Sequence, residues 1–190
     1  MKDPEILVKK IRSADKKAFK LLVEQYQRLV SHVVFRMISV EADREDICQD
    51  VFIQVYQNLG NFKFESKLST WIARIAYNRC INYLEKKKTP LVDDLSPAEE
   101  FIETQPDDSF MPDTFTEHQD RSFRLQMEIK KLPVQFRTIL TLFHLDELKY
   151  NEIAEIMGLP EGTVKSYLFR ARKLLKEKLM SKYKPEELLQ

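Results

Sequence analysis

One stretch constrains the fold more than any other: Tyr150 to Lys178, YNEIAEIMGLPEGTVKSYLFRARKLLKEK. Ile153, Ala154 and Met157 give a short helix one apolar face. Gly158, Leu159 and Pro160 then make a compact turn, because Gly accepts a positive φ and Pro cannot extend the helix before it. The spacing predicts a second helix opening near Gly162 and Thr163, with Val164, Leu168, Ala171, Leu175 and Leu179 as one stripe at 3.6-residue periodicity. Two short helices joined by a tight Gly-containing turn are a helix-turn-helix.

The opposite face of the second helix is unusual in its chemistry. At 100° per residue, Ser166, Phe169, Arg170 and Lys173 point away from the stripe, with Thr163 and Lys165 at its edges and Tyr167 and Arg172 on its flanks. Hydroxyls, cations and an aromatic ring on one exposed surface suit a helix laid in the DNA major groove. A merely solvated basic face accounts for Lys173 and Lys176, but not for an outward Phe169 or so tight a turn.

The sequence is predicted to be all-α: two small helical domains joined by an acidic flexible linker, the C-terminal one containing the helix-turn-helix. Only three of 190 residues are Gly, and no strand alternation is evident. Net charge is +1, but the charges are segregated. Residues 1–90 hold 17 Lys+Arg against 11 Asp+Glu, residues 91–120 hold none against 10, and residues 121–190 hold 14 against 9. Two basic blocks therefore flank a polyanion that also carries three prolines, a composition that reads as a disordered connector. Basic blocks attract phosphate backbones; the connector should not lie along DNA. The most apolar stretch, Leu29 to Val40, is interrupted by His32 and Arg36, so neither membrane insertion nor secretion is expected, and the cytoplasm is the expected compartment. Cys48 and Cys80 are isolated, the three histidines are scattered, and no metal pattern or cofactor motif is apparent. Both thiols are expected to be buried and reduced.

In chain order, a short helix is predicted over Asp3 to Arg12. A core helix follows over Lys16 to Met37, and a third with Ile47, Cys48, Val51, Phe52, Val55, Tyr56 and Leu59 inward, capped from the polar interval Ser39 to Glu45. Its other side exposes Asp46, Gln49, Asp50, Ile53 and Gln57. Like charges at i and i+4 cost a helix a few tenths of a kcal/mol, which a basic partner would offset; a plain solvated acidic face fits the segment taken alone equally well. Gly60 to Leu68, GNFKFESKL, is a loop with two Phe and two Lys. A helix then runs from Ser69-Thr70-Trp71 through Leu84, with Thr70, Arg74, Asn78 and Asn82 outside or at its edge. Rings, amides and lysines together suit single-stranded DNA: rings stack on unpaired bases, amides bond their edges, and lysines follow the backbone. The competing reading is that Phe62, Phe64 and Trp71 plug the core, and for part of the Trp71 ring that is expected.

Taken in order, AFKLLVEQY (18–26), EDICQDVFIQVY (45–56), KFESKLSTWIARIAYNRCINYLEKKK (63–88) and LPVQFRTILTLFHLDELKYNEIAEIMGLPEGTVKSYLFRARKLL (132–175), with the acidic spacer between the last two, make the chain resemble a bacterial RNA polymerase sigma factor of the extracytoplasmic-function (ECF) group. The resemblance implies a region 2-like domain over 1–90, an acidic linker over 91–120 and a region 4-like domain over 121–190. It places Asp46, Gln49, Asp50 and Ile53 on the helix that docks on the clamp coiled coil of the polymerase's largest subunit, and it implies a contact with the polymerase flap. It assigns Phe64, Glu65, Ser66, Lys67, Thr70, Trp71, Arg74, Asn78 and Asn82 to capture of the melted minus-10 strand. Duplex minus-35 reading falls to Thr163, Lys165, Ser166, Tyr167, Phe169, Arg170, Arg172 and Lys173. Many members carry arginine at the position of Tyr167, so this chain has one cation fewer there. In the family the linker threads the polymerase's RNA path, and an anti-sigma protein commonly holds the factor inactive.

The implied mechanism is recognition followed by melting, with no bond made or broken by this chain and no cofactor. Two alternatives remain open on the sequence. A stand-alone dimeric repressor or activator would use the same helix-turn-helix on a palindromic duplex, against the aromatic, lysine-rich loop and the acidic face. A metal-dependent nucleic-acid enzyme would use Glu45, Asp46 and Asp50, but no second carboxylate cluster lies in a structured segment.

Overall fold

The computed structural model describes residues 4–87, 117–144 and 147–183, with side chains in the second span described from residue 124. Every regular element among them is helical. In order these are α1 (Pro4–Arg12), α2 (Lys16–Met37), α3 (Glu41–Asn58), a single 3-10 turn (Leu59–Asn61), α4 (Leu68–Lys87), α5 (Glu117–Lys130), α6 (Val134–His144), α7 (Tyr150–Met157) and α8 (Glu161–Lys182).

The longest N-terminal helix follows its amphipathic spacing. Ala18, Leu22, Tyr26, Val30, Val33, Val34 and Met37 of α2 are buried, and full burial of a side chain such as Leu22 is worth about 1.5–3 kcal/mol. Asp15 opens the helix, its Oδ1 accepting from the amides of Lys17 and Ala18 at 2.9 and 3.2 Å, a cap of typically ~1 kcal/mol. The third helix departs from the expected entry. It begins at Glu41 with Val40 at the N-cap and no side-chain cap. Glu41 and Asp43 in its first turn face the positive end of the helix dipole instead. Arg44 reaches back to the carbonyls of Ile38 and Ser39, both at 3.0 Å, and so satisfies the chain between α2 and α3. α4 packs on α2 and α3, completing a bundle around Val30, Val51, Ile72 and Ala76.

In the second half α6 and α7 pack against α8. The turn of the helix-turn-helix takes the expected form: Gly158 is left-handed at φ 66°, and the Leu159 amide returns to the Ala154 carbonyl at 3.0 Å. The second helix opens at Glu161, earlier than the spacing suggests, because Pro160 supplies a fixed φ at the N-cap and its carbonyl accepts from Thr163 and Val164. Glu128 (3% exposed) ties α5 to the far end of α8. Its Oε1 accepts from Lys131 at 3.1 Å and Lys182 at 2.8 Å.

The two halves touch. α6 lies against α2, and α7 lies against α4. Arg137, 4% exposed, donates one Nη to the Met37 carbonyl at 3.0 Å and the other to Lys130 at 2.9 Å. Burial pulls its pKa down to about 10, with Arg36 and Arg44 adding to the effect; it remains a cation at neutral pH. Residues 88–116, most of the acidic stretch, lie outside the described residues, and α5 starts at Glu117, within the span read as linker.

Candidate nucleic-acid and polymerase interfaces

The helix-turn-helix presents α8 with one face bare. Val164, Leu168 and Ala171 are buried, while Phe169 is 69% exposed. Lys165, Ser166, Arg170, Arg172 and Lys173 are also exposed, and Thr163 and Tyr167 are half-buried. The exposed residues differ in how they are held. Ser166 Oγ donates to the Thr163 carbonyl at 2.9 Å, and Lys165 pairs with Glu161 at 2.8 Å while lying over the Tyr150 ring. Arg172 donates to His144 Nε2 at 3.1–3.3 Å and stacks over Phe143. Burial and the Arg172 charge push the His144 pKa down, consistent with a neutral ring accepting those bonds. Tyr167 turns its ring edge-on to Phe136 at 5.8 Å, so at this position a packing contact stands in place of a cation.

The loop between the 3-10 turn and α4 is braced from below. Arg12 donates to the carbonyls of Leu59 at 3.2–3.3 Å and Phe62 at 2.6 Å, and its guanidinium lies 5.8 Å from the Phe64 ring centre. Phe62 is buried and touches both Phe64 and Trp71, at ring separations of 4.7 and 5.1 Å. The aromatic residues thus divide the labour that the sequence left open: Phe62 plugs the core, Trp71 is half-buried and Phe64 is 37% exposed. Phe64 takes φ 60°, unusual for a residue with a Cβ, and is carried there by the contacts around it. A pocket of about 390 Å³ opens at this loop, walled by Tyr26, Phe64, Ser66, Lys67 and Ser69. Glu65 and Lys67 are exposed and Ser66 half-buried.

Along α4, Arg74, Asn78 and Asn82 are exposed at successive steps of four, which keeps them within one side of the helix. Thr70 does not join them: it is 1% exposed, and its Oγ1 has no hydrogen-bond partner among the described residues. Its expected edge position is corrected by packing, because α4 is covered by α2, α3 and α7 and the free arc is too narrow for a residue about 40° away from Arg74.

On α3, Asp46 and Gln49 are exposed and Ile53 is 53% exposed. Asp50 is half-buried and ion-paired with Arg79 of α4. The sequence reading missed Arg79; an arginine on the polar edge of α4 opposite an acidic helix was the available signal. Among the described residues no three His, Cys, Asp or Glu side chains gather as a metal site. Both cysteines are free: Cys80 is buried, but Cys48 is only half-buried. A further groove of about 620 Å³ lies between α5, α6 and α8. Leu125, Leu140, Leu175 and Met180 form its apolar wall, and Arg36 and Lys176 stand among its lining.

These surfaces sit in two recognisable domains. Residues 22–89 match the family model for sigma-70 region 2, and residues 122–175 match that for sigma-70, region 4; the chain belongs to the sigma-70 family. Its similarity to curated relatives extends over nearly the whole length and lies in the ECF group. It is 34% identical to the ECF RNA polymerase sigma factor SigW of Bacillus subtilis over 176 residues, covering 90% of this chain and 94% of that one. Identity to the ECF RNA polymerase sigma-E factor is 36% for Haemophilus influenzae (92% and 94% covered) and 35% for Escherichia coli K12 (92% and 93% covered). Among solved structures the fold is similar to CnrH in complex with the cytosolic domain of CnrY (TM-score 0.66, 20% identity, 94% and 97% covered). It is also similar to the sigma factor RpoE in complex with the anti-sigma factor NepR from Bartonella quintana (TM-score 0.58, 21% identity, 88% and 99% covered). Membership makes this chain a factor for promoter-specific transcription initiation. No described helix is long and apolar enough to cross a membrane.

Proposed function

We propose that the chain binds core RNA polymerase in the cytoplasm, reads the minus-35 element as duplex and captures the minus-10 element as a melted non-template strand. The observation that carries this reading is the pairing of two unlike surfaces: the bare face of α8 around Ser166, Phe169 and Arg170, and the braced aromatic pocket around Phe64 and Lys67. The domains are then residues 1–90 for docking and melting, 91–120 as linker, and 121–190 for duplex reading.

Arg170 has no ion-pair or hydrogen-bond partner among the described residues and is the side chain assigned to base edges. Thr163, Tyr167 and Arg172 are given phosphate and positioning contacts, with Lys165 and Lys173 flanking. In the other domain an unpaired base enters the pocket beside Phe64, Ser66 and Lys67. Arg74, Asn78 and Asn82 track the strand along α4. Stacking contributes about 1–3 kcal/mol per base, the same order as the few kcal/mol that unstacking costs. Asp46, Gln49 and Ile53 meet the clamp coiled coil of the largest subunit, with Asp50 shared between that partner and Arg79. Anchoring on polymerase makes both DNA contacts intramolecular, so modest affinities combine. The apolar groove of the second domain is assigned to the polymerase flap and, in the inactive state, to an anti-sigma protein, the latter in keeping with the RpoE structure, which holds the anti-sigma factor NepR.

The test is reconstitution with purified core polymerase and genomic DNA, with sequencing of the transcript starts. Discrete new starts sharing two upstream motifs are expected, together with a one-to-one complex in gel filtration. A homodimer that ignores polymerase, or starts unchanged by its addition, would refute the assignment.

A further inference from the structure

The outward side of α2 carries a cleft that none of the contacts above uses. At 100° per residue, Arg28, His32, Phe35 and Arg36 fall within about 100° of arc, and Arg28 and Arg36 stand about 12 Å apart along the axis. Val30, Val33, Val34 and Met37 occupy the buried side. Arg44 of α3 and Lys130 at the end of α5 join the outward residues around a concavity of about 600 Å³, a volume typical of small-ligand sites. Among the described residues, no Asp or Glu lines it.

A basic face that merely meets water keeps its cations extended into it. Here Arg28 is exposed, but Arg36, Arg44 and Lys130 are half-buried, and a cation partly withdrawn from water gains from an anion beside it. Arg44 is also fixed in place. Its Nε and one Nη donate to the Ile38 and Ser39 carbonyls at 3.0 Å, and its guanidinium lies 5.4 Å from the Phe35 ring centre. The fork keeps further N–H donors to spare, and such forks match phosphate oxygens in pairs. Phe35 is 47% exposed, so a large apolar ring stands among the cations on the side of α2 that faces away from the core. Arg36 and Arg44 add to the effect of burial in lowering the pKa of Arg137 behind them, a sign of strongly positive potential. A concavity lined by one sign of charge concentrates ligands of the other.

We propose that this cleft binds the oligophosphate of a nucleotide, with Arg28, Arg36, Arg44 and Lys130 holding the phosphates and the exposed ring of Phe35 serving as a platform for the base. Nucleotides and inorganic polyphosphate share the phosphate chain; Phe35 is the group that favours the nucleotide, since an aromatic ring stacks on any base. A nucleic-acid strand fits less well. Exposed Glu24 lies one turn before Arg28, and exposed Glu41 and Glu45 flank Arg44 on α3, so acidic groups interrupt the basic surface at both ends and leave room for a compact anion rather than a long one. None of the residues assigned above to promoter DNA or polymerase lines the cleft, so binding here does not depend on those roles.

The experiment titrates the full chain with ATP and, separately, with sodium tripolyphosphate, by calorimetry in magnesium-free buffer at about 0.15 M salt. ATP should bind at a single site per chain and about fivefold more tightly than tripolyphosphate, the gain of one stacked base. Arg28→Gln should weaken both ligands roughly tenfold through loss of a charge-assisted hydrogen bond. Phe35→Ala should bring ATP down to the affinity of tripolyphosphate and leave tripolyphosphate unmoved. Lys16→Gln, which removes the same charge from an exposed position at the start of α2, should bind both as wild type does. Arg28 and Phe35 are exposed, so thermal melts should find both variants folded. No saturable binding of either ligand, or equal losses in Arg28→Gln and Lys16→Gln, would overturn the site. Equal affinity for the two ligands, unmoved by Phe35→Ala, would overturn the nucleotide in favour of an inorganic phosphate chain. A mixed-sequence single-stranded DNA 20-mer that binds more tightly than ATP, and loses as much in Arg28→Gln, would overturn it in favour of a nucleic-acid strand.

Discussion

Leu168 and Phe169 are neighbours in the chain and opposites in the structure, and that contrast gives a direct test of how α8 is oriented. Leu168 is 1% exposed and Phe169 69%. Truncating Leu168 to Ala removes a fully packed side chain and leaves a cavity, a change that costs about 2–5 kcal/mol. Truncating Phe169 removes a larger side chain from water, where substitutions usually stay within about 0.5 kcal/mol. Hydrophobicity alone would rank the two losses the other way. Chemical denaturation of the full chain, followed by circular dichroism, should therefore show a large drop in midpoint for Leu168→Ala and almost none for Phe169→Ala. Promoter binding by the reconstituted holoenzyme should reverse the order: Phe169→Ala, fully folded, loses affinity for the upstream element, while Leu168→Ala at a temperature where it remains folded retains it. If Phe169→Ala destabilises the domain by 2 kcal/mol or more, or leaves promoter use unchanged, the outward face of α8 has been assigned wrongly.

Other expectations follow from the same geometry. Arg170→Ala should weaken use of the upstream element by about 1–3 kcal/mol and relax its sequence preference at one position; uniform weakening on all promoters would make it a phosphate contact. Asp46→Lys tests docking more cleanly than the same change at Asp50, which would also break the Arg79 pair. It should reduce holoenzyme formation in gel filtration without moving the melting temperature, and unaltered assembly would remove Asp46 from the interface. Gly158→Ala places a Cβ at φ 66°, and a loss of about 1 kcal/mol or more is expected, read by thermal unfolding. Finally, burial pushes the Cys80 thiol up to about 12 and also raises that of Cys48. Both are neutral at pH 8, so a thiol reagent should label Cys80 only once the protein is unfolded; rapid labelling of two thiols in the native chain would contradict the packing of α4.

How legible the fold was depended on how far one side chain's fate is decided by its own helix. The buried stripe of α2 and the turn at Gly158 could be read directly, because amphipathic spacing and φ preference act within a few residues. Thr70 could not, since its burial is imposed by three other helices and its own spacing points only to an edge. The entry of α3 was misjudged because the polar interval Ser39 to Glu45 was expected to supply a cap, whereas Val40 holds the N-cap and Arg44 satisfies the Ile38 and Ser39 carbonyls from within the helix. Arg137 carried no local signal of its partner at Met37, which lies on another element at long range in sequence, whereas the polar edge of α4 opposite an acidic helix did signal the Arg79 pair. The family resemblance supplied roles for exposed residues such as Arg170 and Asn78. It did not supply the contact between halves, which comes from the packing of α6 on α2 and of α7 on α4.

Helix α8 runs unbroken for 22 residues, about 33 Å, with the residues proposed to read DNA in the first half and the Glu128 anchor on Lys182 at the other end. The scaffold contacts at Val164, Leu168 and Ala171 are interleaved with the outward positions but share no side chain with them. Exchanging Ser166, Phe169, Arg170 and Lys173 as a cassette should therefore retarget such a factor to a different upstream sequence while its foundations stay in place.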